Sequence, residues 1–443
     1  MIFFSVKRKI TVRFQSRTMT FQPPPAHGNS SFDYPARIYC CTTADLIGIG
    51  RIFESMSRKD DLQLIPEAAI KSRDDFPVQL GVQNDGEWER SQYYSGLTKT
   101  ISEDVLEIKK VDLNKQISNL KNKTNPRIAV LNGFGSGIGD TLVGITAFSS
   151  AYKLLRKSVR PGIEIIYSPE QHTKLTSIFQ HTTLIDQFHI APVTLKKLLE
   201  YDAIFDTGGM AHRPDFYNMP VVDFLLTLFG LNPDLVQNKN KRNSLMQFRS
   251  DDNLKIRIRE IRADNPGKKI ILLHPKTSSI FKDIPDKYVI KILRKLQASG
   301  KYIIVMDETI PSTAGLPVID LSRQAKSFAG LYSVISQVDG ILTADTCIYH
   351  IADCFSIPTI AWFTMYDPDV WARYYPTVTG ILLSKEKGSG FLNQKPKNTE
   401  TNLGKLAKLW GETDIDQSLR LLENLMLNKS ACDASARNHS TVS

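Results

Sequence analysis

The chain has 443 residues, of which 42% are apolar, enough to fill two sizeable cores and too many for bulk disorder. Half of its net charge of +10 comes from Lys7, Arg8, Lys9, Arg13 and Arg17 in an acid-free leader, so the excess does not form the broad basic face of a nucleic-acid binder. No apolar run reaches the ~18 residues that cross a bilayer, and the odd set Cys40, Cys41, Cys347, Cys354 and Cys432 fits a reducing cytoplasm better than a disulfide framework.

In chain order, residues 1–30 are expected to be a flexible basic leader, with weak attraction to an anionic membrane as the alternative role. Met19 is an alternative start. Residues 31–125 hold short apolar pieces, such as Ala36-Arg37-Ile38-Tyr39, between polar turns such as Asn84-Asp85-Gly86-Glu87. They read as a small α+β extension of unknown role, with Val105–Leu120 helical. Residues 126–245 alternate between strand and helix. Strands are predicted at Arg127–Leu131, Glu164–Tyr167 and Ala203–Asp206, and helices at Thr141–Arg156, His172–Phe179 and Val221–Leu228. The polar, basic Lys239–Asn243 predicts an interdomain link. The alternation restarts over 246–384, with strands at Lys269–Leu273, Tyr302–Val305, Val318–Leu321, Gly340–Thr343 and Thr359–Phe363 and a helix at Lys287–Ala298. The fold class is therefore α/β, with two tandem Rossmann-like domains and a cleft between the carboxyl ends of their parallel sheets. Within 385–443, a helix at Asp416–Leu427 is expected to brace both domains, followed by a disordered tail from Ser430.

Three constellations face that cleft. The first is Gly133-Phe134-Gly135-Ser136-Gly137-Ile138-Gly139-Asp140, a glycine loop between a strand and a helix. Its glycines admit close backbone approach, and Asp140 is either a base for an acceptor hydroxyl or a helix cap. The second runs from His274 to Pro285. Lys276 and Lys282 offer cations there, and Thr277, Ser278 and Ser279 offer hydroxyls and amides, unless the segment is only a solvated loop. The third is Asp345-Thr346-Cys347-Ile348-Tyr349-His350 after a strand, where free amides at a helix start suit a phosphate. An ordinary capped helix with a packed histidine is the plainer reading of the same residues.

Taken together, the three resemble glycosyltransferase family 9, the lipopolysaccharide heptosyltransferase family. Gly139-Asp140 matches the Gly-Asp that closes the family's first loop. Lys282-Asp283-Ile284-Pro285 matches Lys-x-Trp-Pro with Ile for Trp, and Asp345 to His350 matches Asp-Thr-Gly-x-x-His with Cys347 for Gly. Ala352 to Pro358 with its following strand, and Asp367-Pro368 with Trp371 and Pro376, continue the likeness over about 126–384. The extension at 31–125 lies outside it.

The resemblance implies a GT-B fold with the acceptor on the first domain and a nucleoside-diphosphate sugar on the second. It makes Asp140 the base and Lys282 the partner of the leaving diphosphate. It places the donor phosphates against Thr277, Ser278, Lys282, Asp345, Thr346, Cys347 and His350. The donor's adenine falls near Met306, Asp307 and Glu308, and the acceptor near Gly137, Gly139, His212 and Arg213. Transfer would invert the anomeric centre in one displacement, with no metal and no cofactor beyond the sugar nucleotide. The sugar would be a heptose or similar, and the acceptor a glycan, a lipid-linked core or a protein. Lipopolysaccharide biosynthesis in the cytoplasm, peripheral to the inner membrane, is the matching context.

Other readings weigh less. A dinucleotide dehydrogenase needs Gly-x-Gly-x-x-Gly, but the sixth residue from Gly133 is Ile138 and from Gly135 is Asp140. Cys347, His350 and Cys354 share a helix face, yet three ligands leave a structural zinc one short. A catalytically inactive GT-B protein that binds a glycan or nucleotide is the main alternative, and joint retention of Asp140, Lys282 and His350 favours activity.

Overall fold

The computed structural model describes residues 2–8, 10–14, 17–21, 38–41, 53–65, 77–80, 120–135, 137–167, 175–176, 178, 182, 184–190, 193–194, 200–207, 210, 216–243, 248–383, 396 and 398–440. Strands β1 (Ile2–Val6), β2 (Ile10–Phe14) and β3 (Arg17–Phe21) occupy the stretch expected to be a flexible leader. That expectation is corrected. Alternating β-branched and aromatic residues, as in Ile10-Thr11-Val12-Arg13-Phe14, suit a pleated surface whatever the local charge. β2 and β3 pair as an antiparallel hairpin, and Arg8 meets Asp61 at 2.6 Å. β4 (Ile38–Cys41), β5 (Leu62–Ile65) and β6 (Pro77–Leu80) follow. Of the helix expected at Val105–Leu120, all but Leu120 lies outside the described residues.

The first α/β unit contains β7 (Arg127–Leu131), α1 (Ile138–Leu155), β8 (Gly162–Tyr167), β9 (Gln187–Ile190), β10 (Val193–Thr194), β11 (Ala203–Asp206) and α2 (Val221–Leu228). Its parallel sheet has the order β11-β7-β8-β9. β7 is buried on both faces from Ile128 to Leu131, as a central parallel strand covered by helices should be. β9 escaped the sequence reading because its four residues are exposed or only half-buried. β10 leaves this unit and pairs with β6, which completes a five-stranded sheet, β10-β6-β4-β1-β5, and stitches the extension to the first domain.

The second unit begins with α3 (Asp252–Ala263), whose first turn is capped by the Asp251 carboxylate accepting from Leu254 N at 3.2 Å. Then come β12 (Lys269–His274), α4 (Asp286–Ala298), β13 (Tyr302–Met306), β14 (Ile319–Asp320), α5 (Phe328–Gln337), β15 (Gly340–Ala344), α6 (Cys347–Cys354), β16 (Thr359–Phe363), α7 (Pro368–Trp371) and β17 (Val378–Leu382). They form a six-stranded parallel sheet, β14-β13-β12-β15-β16-β17.

α8 (Glu400–Gly411) and α9 (Ile415–Ser440) close the chain. Trp362 Nε1 donates to Ser418 at 3.3 Å, Tyr302 donates to Glu423 at 2.6 Å, and Lys295 meets Asp416 at 2.6 Å. These contacts seat α9 on the second domain, where a brace across both domains was expected. The helix also runs through the tail expected to be disordered, because Ala431, Ala434 and Ala436 favour helix and no Gly or Pro interrupts it.

The two domains are not loosely joined. One hydrophobic cluster runs from Ile128 and Val130 through α1 and α2 to Ile348, Ile351 and Ala352 of α6. The predicted link at Lys239–Asn243 is a 3₁₀ turn (Asn238–Lys241) with Lys241 and Asn243 buried. Arg242 and Asn243 both bind Asp353 of α6. Asn243 also takes the Thr146 hydroxyl of α1 and donates to the His350 carbonyl at 3.2 Å.

Candidate active site

The glycine loop makes three successive left-handed residues, Gly133 (φ 59°), Phe134 (φ 65°) and Gly135 (φ 117°). Glycine meets this demand without strain, but Phe134 must be held. Its ring is fully buried against Phe148 and Phe229, and its amide donates to the Thr207 hydroxyl at 3.2 Å. The turn delivers Gly137 as N-cap of α1 and brings Asp140 back over the loop, where its Oδ2 accepts from Gly137 N at 3.1 Å. A Cβ on Gly135 would stand 2.6 Å from that of Asp140, so this position must be glycine for the carboxylate to fold over. Asp140 therefore caps its helix, and its charge is felt by the Tyr349 hydroxyl of α6.

Across the domain boundary the start of α1 meets the start of α6. A Cβ on Gly139 would lie 2.7 Å from His350 Cδ2 and 3.0 Å from its Nε2. Gly139, expected among the acceptor contacts, is covered by His350 and makes the close helix–helix approach possible. His212 and Arg213, the other expected acceptor contacts, lie outside the described residues. Gly139→Ala should push α6 away from α1. We expect at least a tenfold loss of activity and about 1–3 kcal/mol of stability, typical of an overpacked contact; steady-state kinetics and urea unfolding would measure both.

On the second domain, Thr346 caps α6 by accepting from Ile348 N at 3.2 Å. Asp345 is buried, accepts from the Tyr349 hydroxyl at 3.2 Å through Oδ1, and has Oδ2 3.3 Å from Lys282 Nζ. The Lys282 contact is an ion pair without hydrogen-bond alignment. Asp345 thereby holds Lys282 at the start of α6, where the helix dipole attracts anions.

His350 Nδ1 is bonded to the Tyr375 hydroxyl at 2.9 Å and the ring's other edge rests on Gly139. Burial, then the nearby Lys282 cation, lower its pKa to about 3, so the ring is neutral and serves the domain contact, with no bond to spare for an anion at Nδ1. Burial, reinforced by the Asp307 carboxylate, pushes the Cys347 thiol up to about 12, which keeps it protonated. The Cys354 thiol donates to the His350 carbonyl at 3.6 Å, as a helix-packed cysteine does. Among the described residues no group of three His, Cys, Asp or Glu side chains has a metal-holding arrangement.

The segment after β12 separates its two lysines. Lys276 is paired with Asp286 at 2.9 Å and lies 3.8 Å from Asp283, whereas Lys282 alone reaches the α6 start. The Thr277 hydroxyl donates to the Ser279 carbonyl at 2.7 Å and accepts from Ser279 N at 2.9 Å, so it shapes the loop. Ser278 is exposed. Ile284 is fully buried in the second core, so the family's Trp position is an anchor here.

At the neighbouring strand ends, Met306 is enclosed in the core and Asp307 binds the buried His274 at 2.8 Å. Burial lowers the imidazole's pKa, but Asp307 outweighs it and the net shift is upward. Of the three residues expected at the nucleobase, Glu308 is the half-buried one. Its carboxyl is raised, first by burial. The His274–Asp307 pair was missed because His274 ends β12 while Asp307 follows β13, 33 residues on.

Residues 211–400 match the family model described as glycosyltransferase family 9 (heptosyltransferase). No curated protein sequence matches the chain. Among solved structures, a glycosyl transferase family 9 protein from Veillonella parvula is similar at 11% identity and a TM-score of 0.48, covering 70% of this chain and 99% of its own. The E. coli ADP-heptose lps heptosyltransferase II is similar at 12% identity and a TM-score of 0.41, covering 65% and 99%. TibC, a dodecameric iron-containing glycosyltransferase from enterotoxigenic E. coli, gives 13% identity and a TM-score of 0.43, covering 68% and 79%. Two parallel α/β domains thus meet where the Gly139 backbone of α1 rests against His350 of α6, and residues 211–400 of the 443 match the glycosyltransferase family 9 (heptosyltransferase) model.

Proposed function

We propose that the chain transfers a sugar, with inversion and without a metal, from a nucleoside-diphosphate donor to a hydroxyl of a glycan, lipid-linked core or protein. The observation that carries this is Lys282, held by Asp345 beside the α6 amides on one domain while Asp140 stands at the facing helix start of the other. The donor's diphosphate sits at the α6 start. Asp140 takes the proton from the acceptor hydroxyl as its oxygen attacks the anomeric carbon. The bond from that carbon to the phosphate oxygen breaks on the opposite side, and the electron pair leaves with the diphosphate. Lys282 and the helix-start amides neutralise the charge that develops there, a role that a divalent ion would otherwise fill. A heptose donor is favoured by the family match. We place the reaction in the cytoplasm, at the membrane periphery when the acceptor is lipid-linked. None of the described helices is long and apolar enough to cross a membrane.

Thermal unfolding with ADP, GDP, UDP, CMP and NAD tests the reading. A ligand at ~100 times its Kd adds about 2.7 kcal/mol. We expect a selective rise with one nucleoside diphosphate, lost in Lys282→Ala, and transfer by the wild type that persists in EDTA. A rise with NAD alone, or activity abolished by chelation, would overturn it.

A further inference from the structure

The position of the Lys282 ammonium is set in two steps. Its main chain is fixed by the second core: Phe281 and Ile284 on either side are buried, and Ile284 N donates to the Pro275 carbonyl at 2.9 Å. The four-carbon stem beyond it turns freely unless its tip is held. Asp345 holds it, with Oδ2 3.3 Å from Nζ, and the Tyr366 ring centre lies 5.7 Å away. The Lys282 side chain is 17% exposed, so an anion can reach the ammonium, whereas the Asp345 side chain is only 5% exposed.

The carboxylate that holds the lysine must itself be held. Among the described residues Asp345 Oδ2 has no hydrogen bond, and Oδ1 has one, from the Tyr349 hydroxyl at 3.2 Å. A buried carboxylate with a single hydrogen bond takes its orientation from that bond. Tyr349 is 1% exposed, and its ring is packed against His350, Phe363 and Tyr375 with centroids 4.2, 5.4 and 6.5 Å away. Burial first, then the Asp345 charge, raise the hydroxyl's pKa well above that of free tyrosine, so it stays a donor at any working pH. The pattern Asp-Thr-Gly-x-x-His leaves this position open, so the tyrosine is this chain's own addition to the site.

Resting on the glycosyltransferase reading, we propose that Tyr349 is a positioning residue for the leaving diphosphate: its hydroxyl orients Asp345, and Asp345 in turn keeps Lys282 at the α6 start. Tyr349 itself touches neither the substrates nor the reacting atoms. Without the hydroxyl the carboxylate can turn, and the ammonium follows it away from the phosphates. The loss then appears where negative charge develops on the leaving group.

The test uses the full chain and the nucleotide sugar that the wild type turns over. Tyr349→Phe deletes one oxygen and keeps every ring contact. It is compared with Asp345→Asn and with the double variant in transfer, in binding of the bare nucleoside diphosphate and in binding of the nucleoside without phosphates. We expect each single variant to lose about tenfold in kcat/KM, the usual loss for one hydrogen bond to a charged group, and about fivefold in nucleoside-diphosphate affinity. Nucleoside affinity should stay within about twofold of wild type, and the double variant should equal Asp345→Asn alone, because both changes act through one contact with Lys282. The double variant has no buried carboxylate left to satisfy, so it folds and decides the matter even where Tyr349→Phe alone does not. Wild-type kcat/KM in Tyr349→Phe, an equal loss of nucleoside affinity, or a double variant worse than Asp345→Asn would each overturn the positioning role alone. A wild type that binds no nucleoside diphosphate would remove the transferase reading and the positioning role with it.

Discussion

Asp140→Asn is expected to lower sugar transfer by about 10²- to 10⁴-fold, the usual span for losing a positioned general base, while the protein still folds. The choice of Asn separates the two roles of this carboxylate. In the structure Asp140 Oδ2 accepts from Gly137 N at 3.1 Å, and an amide oxygen of the same shape can keep that bond. The contact with Gly135 is kept as well, since the Cβ does not change. What disappears is the negative charge, worth about 0.3–1 kcal/mol at a helix start, and the ability to take a proton. Asp140→Ala would lose the cap too, and its unfolding midpoint should fall below that of the Asn variant. Initial rates with saturating donor, read beside urea unfolding of both variants, decide the matter. Full transfer by Asp140→Asn would leave the residue as a cap and move the base elsewhere.

The sequence made the two α/β domains legible because their strands are short unbroken apolar runs bounded by Gly, Pro and charge, and such runs have few other uses. β7, β11, α2 and β16 fall at the expected residues. The hairpin at 10–21 was hidden by its own arginines: a count of charges weighed more than the alternation underneath them. The end of α9 was hidden because Ala, Ser and Asn suit a loose tail and, in the absence of Gly and Pro, also continue a helix. In the site, the spacing of Asp140, Lys282 and Asp345 could be read, since each follows the carboxyl end of a central strand, β7 in the first sheet and β12 and β15 in the second. What each one touches could not. Asp345 pairs with a lysine from another loop, and His350 is turned by a glycine from the other domain. Lys239–Asn243 has the composition of a solvated link, and only the fold shows that Asn243 is surrounded by α1 and α6.

That link carries the largest stability effect we expect. Arg242→Ala should cost about 3–5 kcal/mol at neutral pH, the range for stripping the partner from a buried charge. Asp353 is fully buried in α6 and accepts from Arg242 at 2.9 and 3.1 Å and from Asn243 N at 2.7 Å. Burial raises the Asp353 pKa, with Arg242 and the Asn243 amide pulling it back down. Deleting Arg242 removes the larger of the two restraints, so the folded-state pKa climbs further above that of the unfolded chain. A carboxyl whose pKa is raised on folding loses stability as pH rises through the interval between the two values. The deficit of Arg242→Ala should therefore be greatest at neutral pH and shrink on acidification, as Asp353 protonates and its charge vanishes. Asp353→Asn should be milder, because its amide oxygen still takes Asn243 N and the 20% exposed Arg242 side chain can turn to water. Both variants should also slow transfer, since Asn243 joins Thr146 of α1 to the His350 carbonyl and thereby sets the Gly139–His350 contact. Urea unfolding of wild type and both variants at pH 5 and pH 7 reads all of this. An Arg242→Ala deficit that stays the same at both pH values would mean that the protein hydrates Asp353 on losing its partner, and that the link is held by packing and not by the ion pair.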